Sequence, residues 1–457
     1  MDNANSSTEN LTNASRQRPT SWKTKNSPDV EEFPRKMSSD ENTLHTVSSH
    51  QNDYAAKYFT GPRNLDSHSK VPMFLRIHGS IMPHLIVPLT FVGLWSSLIT
   101  YISNHYISLA VEPILITVLG IVVSLSLSFR SSSAYERYSE GRRLWSSLAV
   151  HSRTLARLIW IHIPERENTE DEPDCETSDL LSKVSAINLI HAYAVAIKHR
   201  LRFQPFTNYD DMSSIVGHLD TYAKEATRDQ YVYKDISIFK KIGRFLSLSF
   251  TASNPRKHIK RAEAPLGNLP MEVLLHISAF IQQAATDKPG PSLVTSVVYT
   301  QMMNTMVLLQ DIPGQADRVL ATPLPVGYNI LISQLVILYT YLLPFQLYNR
   351  FGWVTVPAVL AASYIIMGLA AIGNELENPF GNDVNDLPLD AFCEEIRHDM
   401  DYIISRKRII FRDCVEKENN KPLWPLSRSN QATWHQRDIE DIRSALRSKV
   451  YLSNPLV

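Results

Sequence analysis

Four apolar runs, each near the ~20 residues a helix needs to cross ~30 Å of hydrocarbon, constrain this chain more than anything else in it. They are HLIVPLTFVGLWSSLITYI (84–102), ISLAVEPILITVLGIVVSLSLSF (107–129), PVGYNILISQLVILYTYLLPFQLY (325–348) and WVTVPAVLAASYIIMGLAAIG (353–373). Two close pairs of this length are foreign to a soluble core and natural for two hairpins spanning a bilayer. Overall composition hides them, because a polar N-terminal tail averages against the apolar middle and the mean hydropathy is slightly negative. Lys+Arg and Asp+Glu both number 46, so net charge gives no reason to expect a nucleic-acid partner. Cys175, Cys393 and Cys414 lie far apart with no CxxC spacing, which argues against a zinc site or disulfide framework and fits a reducing compartment.

Basic flanks orient the runs, since Lys and Arg concentrate on the cytoplasmic side. Lys70 and Arg76 precede the first run and Arg130 to Arg143 follow the second. Arg318 precedes the third, and Arg397, Arg406, Lys407 and Arg408 follow the fourth. The short connections SNHY and NRFG hold a single Arg350 between them. The expectation is a multi-pass integral membrane protein with both termini cytosolic, in the plasma membrane or, as the alternative, an organelle membrane. Trp95, Tyr101, Tyr106 and Trp353 sit near the run ends, where an interfacial aromatic belt would place them.

Outside the runs, residues 1–69 are Ser/Asn/Thr-rich and cannot bury enough surface to fold alone. Their sequons at Asn5, Asn10 and Asn13 matter only if the tail is luminal, against the orientation above. Apolar residues at three- and four-residue spacing in RRLWSSLAVHSRTLARLIWIH, SDLLSKVSAINLIHAYAVAIKHRL and PMEVLLHISAFIQQAAT predict cytosolic helices over 130–320, with further helix over 387–415. The stretch 165–179 reads as an acidic loop, 204–266 as an irregular insertion and 416–457 as a C-terminal tail. The fold class is therefore all-α, with four membrane helices feeding a cytosolic helical domain.

The junction at 119–146, LGIVVSLSLSFRSSSAYERYSEGRRLWS, has no Pro to end a helix between its apolar and charged halves, so one helix should leave the bilayer and continue. At about 100° per residue, Ile121, Leu125 and Phe129 form one drifting stripe, and Ser124, Ser128 and Ser132 form another about 60° round. Periodicity leaves both open. Hydroxyls would solvate a passing ion, apolar rings would gate by dewetting, and an apolar stripe could also simply pack against the first helix. Glu136, Glu140 and Arg143 are spaced to pair on the helix surface.

Two motifs carry a family resemblance. FRSSSAYERYSEGRRLWSSL (129–148) and NELENPFGNDVNDLPLDAFCEEIRHD (374–399) resemble the segments after the second and fourth membrane helices of bestrophins, notably bacterial and fungal ones. RVLATPLPVGYNILISQLVILYTYLLPF (318–345) is a weaker match, and the likeness spans about 70–415. The resemblance implies a homopentameric channel in the lipid bilayer with one axial pore, passing chloride and other small anions. It selects Ile121, Leu125 and Phe129 as the pore neck and expects a second, cytosolic constriction at Ile330, Leu331 or Ile332. Arg130, Arg137, Glu140, Arg142 and Arg143 become mainly scaffolding between subunits, with a lesser role in concentrating anions.

It also offers Asn378, Asp383 and Asp386 as part of a calcium clasp, although Val384 and Asn385 interrupt the acid run and Glu375 stands where an amide is usual. The other reading is a GND turn with Asn385 or Asp386 capping a helix that opens near Pro388. No cofactor besides calcium is implied. Glu112, near the outer mouth, is either a solvated helix end or a site favouring cations, so a cation-selective channel of the same fold is the alternative. A transporter would show repeated, broken helices, and the two pairs share no visible similarity. HExxH, Gly-rich phosphate loops and GxSxG are absent and no two histidines stand four apart, so an enzyme is not expected. A non-channel membrane scaffold stays open.

Overall fold

The computed structural model describes residues 79–109, 111–168, 174–228, 265–286 and 293–453. The N-terminal tail with its sequons, Lys70 and Arg76, and part of the insertion lie outside the described residues. All regular elements among the described residues are helices. In chain order they are α1 (Met82–His105), α2 (Pro113–His162), α3 (Cys175–Leu201), α4 (Asp210–Val216), α5 (Tyr222–Arg228), α6 (Leu269–Thr286) and α7 (Ser296–Ala321). They continue with α8 (Val326–Phe351), α9 (Thr355–Leu376), α10 (Leu389–Ile404), α11 (Phe411–Val415), α12 (Gln431–His435) and α13 (Ile439–Ser453).

α2 is one helix of 50 residues, about 75 Å long, and it joins the apolar run to the charged stretch without interruption. It opens at Pro113, six residues later than the run itself. Proline drives the residue before it out of the α region while suiting the first helical turn. Glu112 accordingly sits extended at φ −58° and ψ 140° and its side chain makes no cap. α8 runs to Phe351 and stops at Gly352, whose φ of +52° a side chain would resist. One 3₁₀ turn, Gly352–Val354, then hands the chain to α9.

α1 packs chiefly on α9 and α8, and α2 packs on the same two helices from another side. Small apolar clusters tie this bundle together: Val92, Ile116, Leu343 and Val359 in one, Val123, Leu127, Ile332 and Val336 in the other. Trp95 donates its indole N–H to the Tyr341 carbonyl at 3.1 Å. Ile86, Val87, Phe91, Leu94 and Leu98 stay exposed along α1, as a lipid-facing surface requires.

α3 is also apolar and long enough to cross a membrane, but 67% of its apolar window is buried within the protein, against 28% or less for the other candidates. It is the central helix of a second helical domain. α2's lower half, α6, α7 and α10 surround it in one core that includes Leu148, Leu155, Ile159, Ile190, Tyr193, Ile277, Leu309 and Ile396. The C-terminal end of α2 lands on this domain and is capped there. Lys183, buried, donates to the Trp160 and Ile163 carbonyls at 3.2 and 2.9 Å and to Glu165 at 2.6 Å. Arg408 donates to the Ile161 carbonyl at 2.9 Å. Cations at a helix C-terminus satisfy orphan carbonyls and oppose the negative end of the helix dipole.

Candidate pore and its supports

The buried face of α2 is set by Val123, Leu127, Arg130 and Ala134. The opposite face carries Ile121, Leu125 and Phe129, which are 66, 56 and 58% exposed. The apolar stripe therefore does not pack against α1 and has no partner face among the described residues. Ser124, Ser128 and Ser132 are exposed beside it. An open groove runs along this flank, bounded by Thr117, Gly120, Ile121, Ser124, Leu125 and Ser128 of α2 and by Tyr339 and Gln346 of α8. A side chain at Gly120 would meet the Tyr339 ring at 3.2 Å, so glycine permits this close approach. Tyr339 and Gln346 carry no signal in sequence, because only the packing of α8 on α2 brings them to the stripe.

The charged residues below the stripe, expected to brace one subunit against the next, are also held by partners within their own chain. Arg130, 2% exposed, donates to the Asn374 amide oxygen of α9, and a Cβ on Gly373 would stand 3.2 Å from its Cδ. Arg137 donates to the Val319 carbonyl and lies 3.7 Å from Glu377. Glu140 is held by Arg318 and more loosely by Arg143 at 3.9 Å. Arg142 stacks over the Phe392 ring at 4.3 Å and donates to Ser146 at 3.0 Å. The set fastens α2 to α7, α9 and α10, so the charged half of the helix is positioned from three sides. Asn374, Arg318, Val319, Glu377 and Phe392 are the supporting residues that spacing along α2 could not reveal.

Ile330 and Leu331 are about half exposed on α8, whereas Ile332 is 1% exposed and packs among Val123, Leu127 and Val336. Ile332 thus offers no side chain to a lumen, because the 3.6-residue period turns it toward α2.

After α9 the chain turns at Asn378–Leu387, where Leu387 N–H bonds the Pro379 carbonyl at 2.9 Å. Asp386 folds back on this turn, accepting from the Asp383 N–H at 2.7 Å. Asn385 donates to Glu375 at 2.7 Å and to the Gly79 carbonyl at 3.1 Å. Pro388 is the residue at the N-cap of α10, with no side-chain cap, so neither Asn385 nor Asp386 caps that helix. Burial, together with the neighbouring Asp383 and Glu375 charges, pushes the Asp386 carboxyl up to about 6 despite the opposing N–H bond. Calcium takes six to eight oxygens, drawn from carboxylates, backbone and amide carbonyls and water. Among the described residues no three His, Cys, Asp or Glu side chains gather to hold a metal, so Asp383 and Asp386 would have to be joined by carbonyl oxygens. Within one chain Asp386 is committed to the Asp383 N–H, so this turn is closed by its own groups.

A second polar centre braces this turn. Lys198, 4% exposed, binds Asp211 and, at 2.7 Å, Asp390 of α10, while Arg202 reaches Asp390 at 3.0 Å. Burial alone would lower the Lys198 ammonium, but the two carboxylates outweigh it and hold it above its ordinary value.

A family model described as bacterial/fungal bestrophin protein matches residues 62–402. The chain is 31% identical to the voltage-dependent anion channel-forming protein alr2987 of Nostoc, over 72% of this chain and 90% of that one. It is 28% identical to sll1024 of Synechocystis, of the same description, over 73% and 91%. In fold it matches the bacterial bestrophin homologue of Klebsiella pneumoniae, with TM-score 0.51 and 23% identity over 70% of this chain and 99% of that one. The matched residues take in the long bipartite helix, its anchoring arginines and the turn after α9, and the chain belongs to the bacterial and fungal bestrophin family.

Proposed function

We propose that this protein is an anion channel, not an enzyme, assembled as a homopentamer around five copies of α2, with both termini in the cytosol of a plasma-membrane protein. The observation that carries the reading is the uncharged stripe Ile121, Leu125 and Phe129, exposed on a helix whose other side is fully engaged. The description of alr2987 and sll1024 as anion channel-forming proteins supports the ion's sign. A collar of apolar side chains excludes water when narrow and conducts once wetted. No fixed charge lies within that stripe, so sign selection rests on fields above and below it. Ile330 and Leu331 remain available for a second narrowing, and Ile332 does not. The turn at Asn378, Asp383 and Asp386 acts as a structural joint, and opening does not depend on calcium.

Protein reconstituted in liposomes should pass current whose reversal potential follows a chloride gradient, and Leu125→Ala should raise that current several-fold by loosening the collar. A reversal that follows potassium would favour the second reading, in which the exposed Glu112 at the start of α2 selects cations. An unchanged current in Leu125→Ala of native assembly would remove the neck from this stripe.

A further inference from the structure

Arg157 lies on the same unbroken helix as the neck, thirty-six residues beyond Ile121. At 3.6 residues and about 5.4 Å per turn this is about ten turns, which returns to the same face about 54 Å further on. Exposure confirms the register independently of that arithmetic. Ser132, Glu136, Ser139, Arg143, Val150 and Arg157 are exposed in succession, while Ala134, Leu144, Leu148, Leu155 and Ile159 are buried on the other side. One face of α2 is therefore open from the membrane to the base of the cytosolic domain, and its lower part carries arginines.

Those arginines differ in kind from their neighbours. Arg153, one turn above Arg157, is fully engaged by Glu395 at 2.7 Å and Asp399 at 2.6 Å. Arg157 makes no hydrogen bond or ion pair to any described residue, and Arg143 is 73% exposed with Glu140 no nearer than 3.9 Å. An arginine that stitches the domain together is thus distinguishable from one that faces open space. Glu136, also unpaired among the described residues, is the single free acid on this face. It lies twenty-one residues above Arg157, about 31 Å, several times the ~8 Å screening length at physiological salt, so it cannot cancel that charge.

We propose that Arg157, seconded by Arg143, is a specificity-determining residue of the channel. Repeated around the axis, it forms a basic ring in the cytosolic vestibule that raises the local concentration of permeant anions below the neck. This rests on the channel reading above, with the Ile121 stripe toward the axis. Like charges lining a confined, low-dielectric passage focus their field into it, so a ring acts where a single surface arginine would be screened.

The test measures single-channel current with low and high salt on the cytosolic side, using the full chain and its variants Arg157→Glu, Arg157→Gln and Arg157→Lys. At ~0.01 M salt, where the screening length is ~30 Å, Arg157→Glu should reduce anion current at least about threefold, with Gln intermediate and Lys near native. At 1 M salt, with screening at ~3 Å, the variants should converge. A merely structural role would not produce this salt dependence. If Arg157→Glu fails to assemble, Arg157→Cys in a Cys414→Ser background, treated after assembly, supplies the same contrast. A negatively charged thiol reagent should lower the current and a positively charged one restore it. Native currents in every variant, or an introduced thiol that stays unreactive in an open channel, would overturn the ring. A wild-type protein that passes no anions would overturn both this inference and the channel reading, whereas anion current indifferent to Arg157 overturns this one alone.

Discussion

At the scale of the residue, Asp386 shows how position sets chemistry. Its carboxyl is held near 6 when folded and titrates near its ordinary 3.8 when unfolded, so the folded state binds the proton more tightly. Stability should rise as pH falls from 7.5 through 6 toward 5, and above about 6 the ionised carboxyl weighs against the fold in full. The shift corresponds to about 3 kcal/mol, and solvent screening of a partly exposed group reduces this to about 1–2 kcal/mol. Asp386→Asn keeps an oxygen that accepts from the Asp383 N–H. It should therefore raise the melting temperature in detergent at pH 7.5 and lose the wild-type gain on acidification. A variant that melts lower than wild type at pH 7.5 would contradict this account. The arginines teach the complementary lesson. Their identity was plain in sequence, but whether each one anchors or faces open space depends on residues such as Asn374, Arg318 and Asp399, more than a hundred positions away.

At the scale of the element, α2 matters because it is continuous. The apolar stripe proposed as the neck and the charged face beyond it share one rigid rod, clamped by Arg130, Arg137 and Glu140 in the middle and by Lys183 and Arg408 at its end. Proline within such a rod removes a backbone hydrogen bond and clashes with the preceding turn, costing about 3 kcal/mol or more. Ser131→Pro should lower the melting temperature and change unitary conductance together, while Ser131→Ala should leave both near native. Native conductance in Ser131→Pro would show that neck and vestibule do not need a common helix. The continuity was legible, because no proline interrupts 114–162. The start of the helix was not legible: Pro113 ends the extended stretch before it, a local effect that hydropathy averages away. Ile332 turns inward for a related reason. A run of three apolar residues on a membrane helix always has one that points at a neighbour, and hydropathy does not say which.

At the scale of the whole molecule, the exposed stripe of α2 is a surface that one chain leaves unfinished. The pentamer reading predicts a particle of about five times 51.9 kDa after detergent is subtracted, measured by light scattering. A monomer or dimer of that protein would remove the axial pore. By itself the amino-acid sequence determined the membrane-spanning runs, the helical class, the passage of α2 out of the bilayer and the family. All of these follow from periodicity, length and local motif, which are properties of neighbouring residues. It did not determine that α3 is the buried centre of the second helical domain, that α1 lies on α9 and α8, that Tyr339 and Gln346 border the stripe, or which arginines stand free. Those depend on which helix faces press together, and such contacts are made between segments that only the folded chain brings within reach of one another.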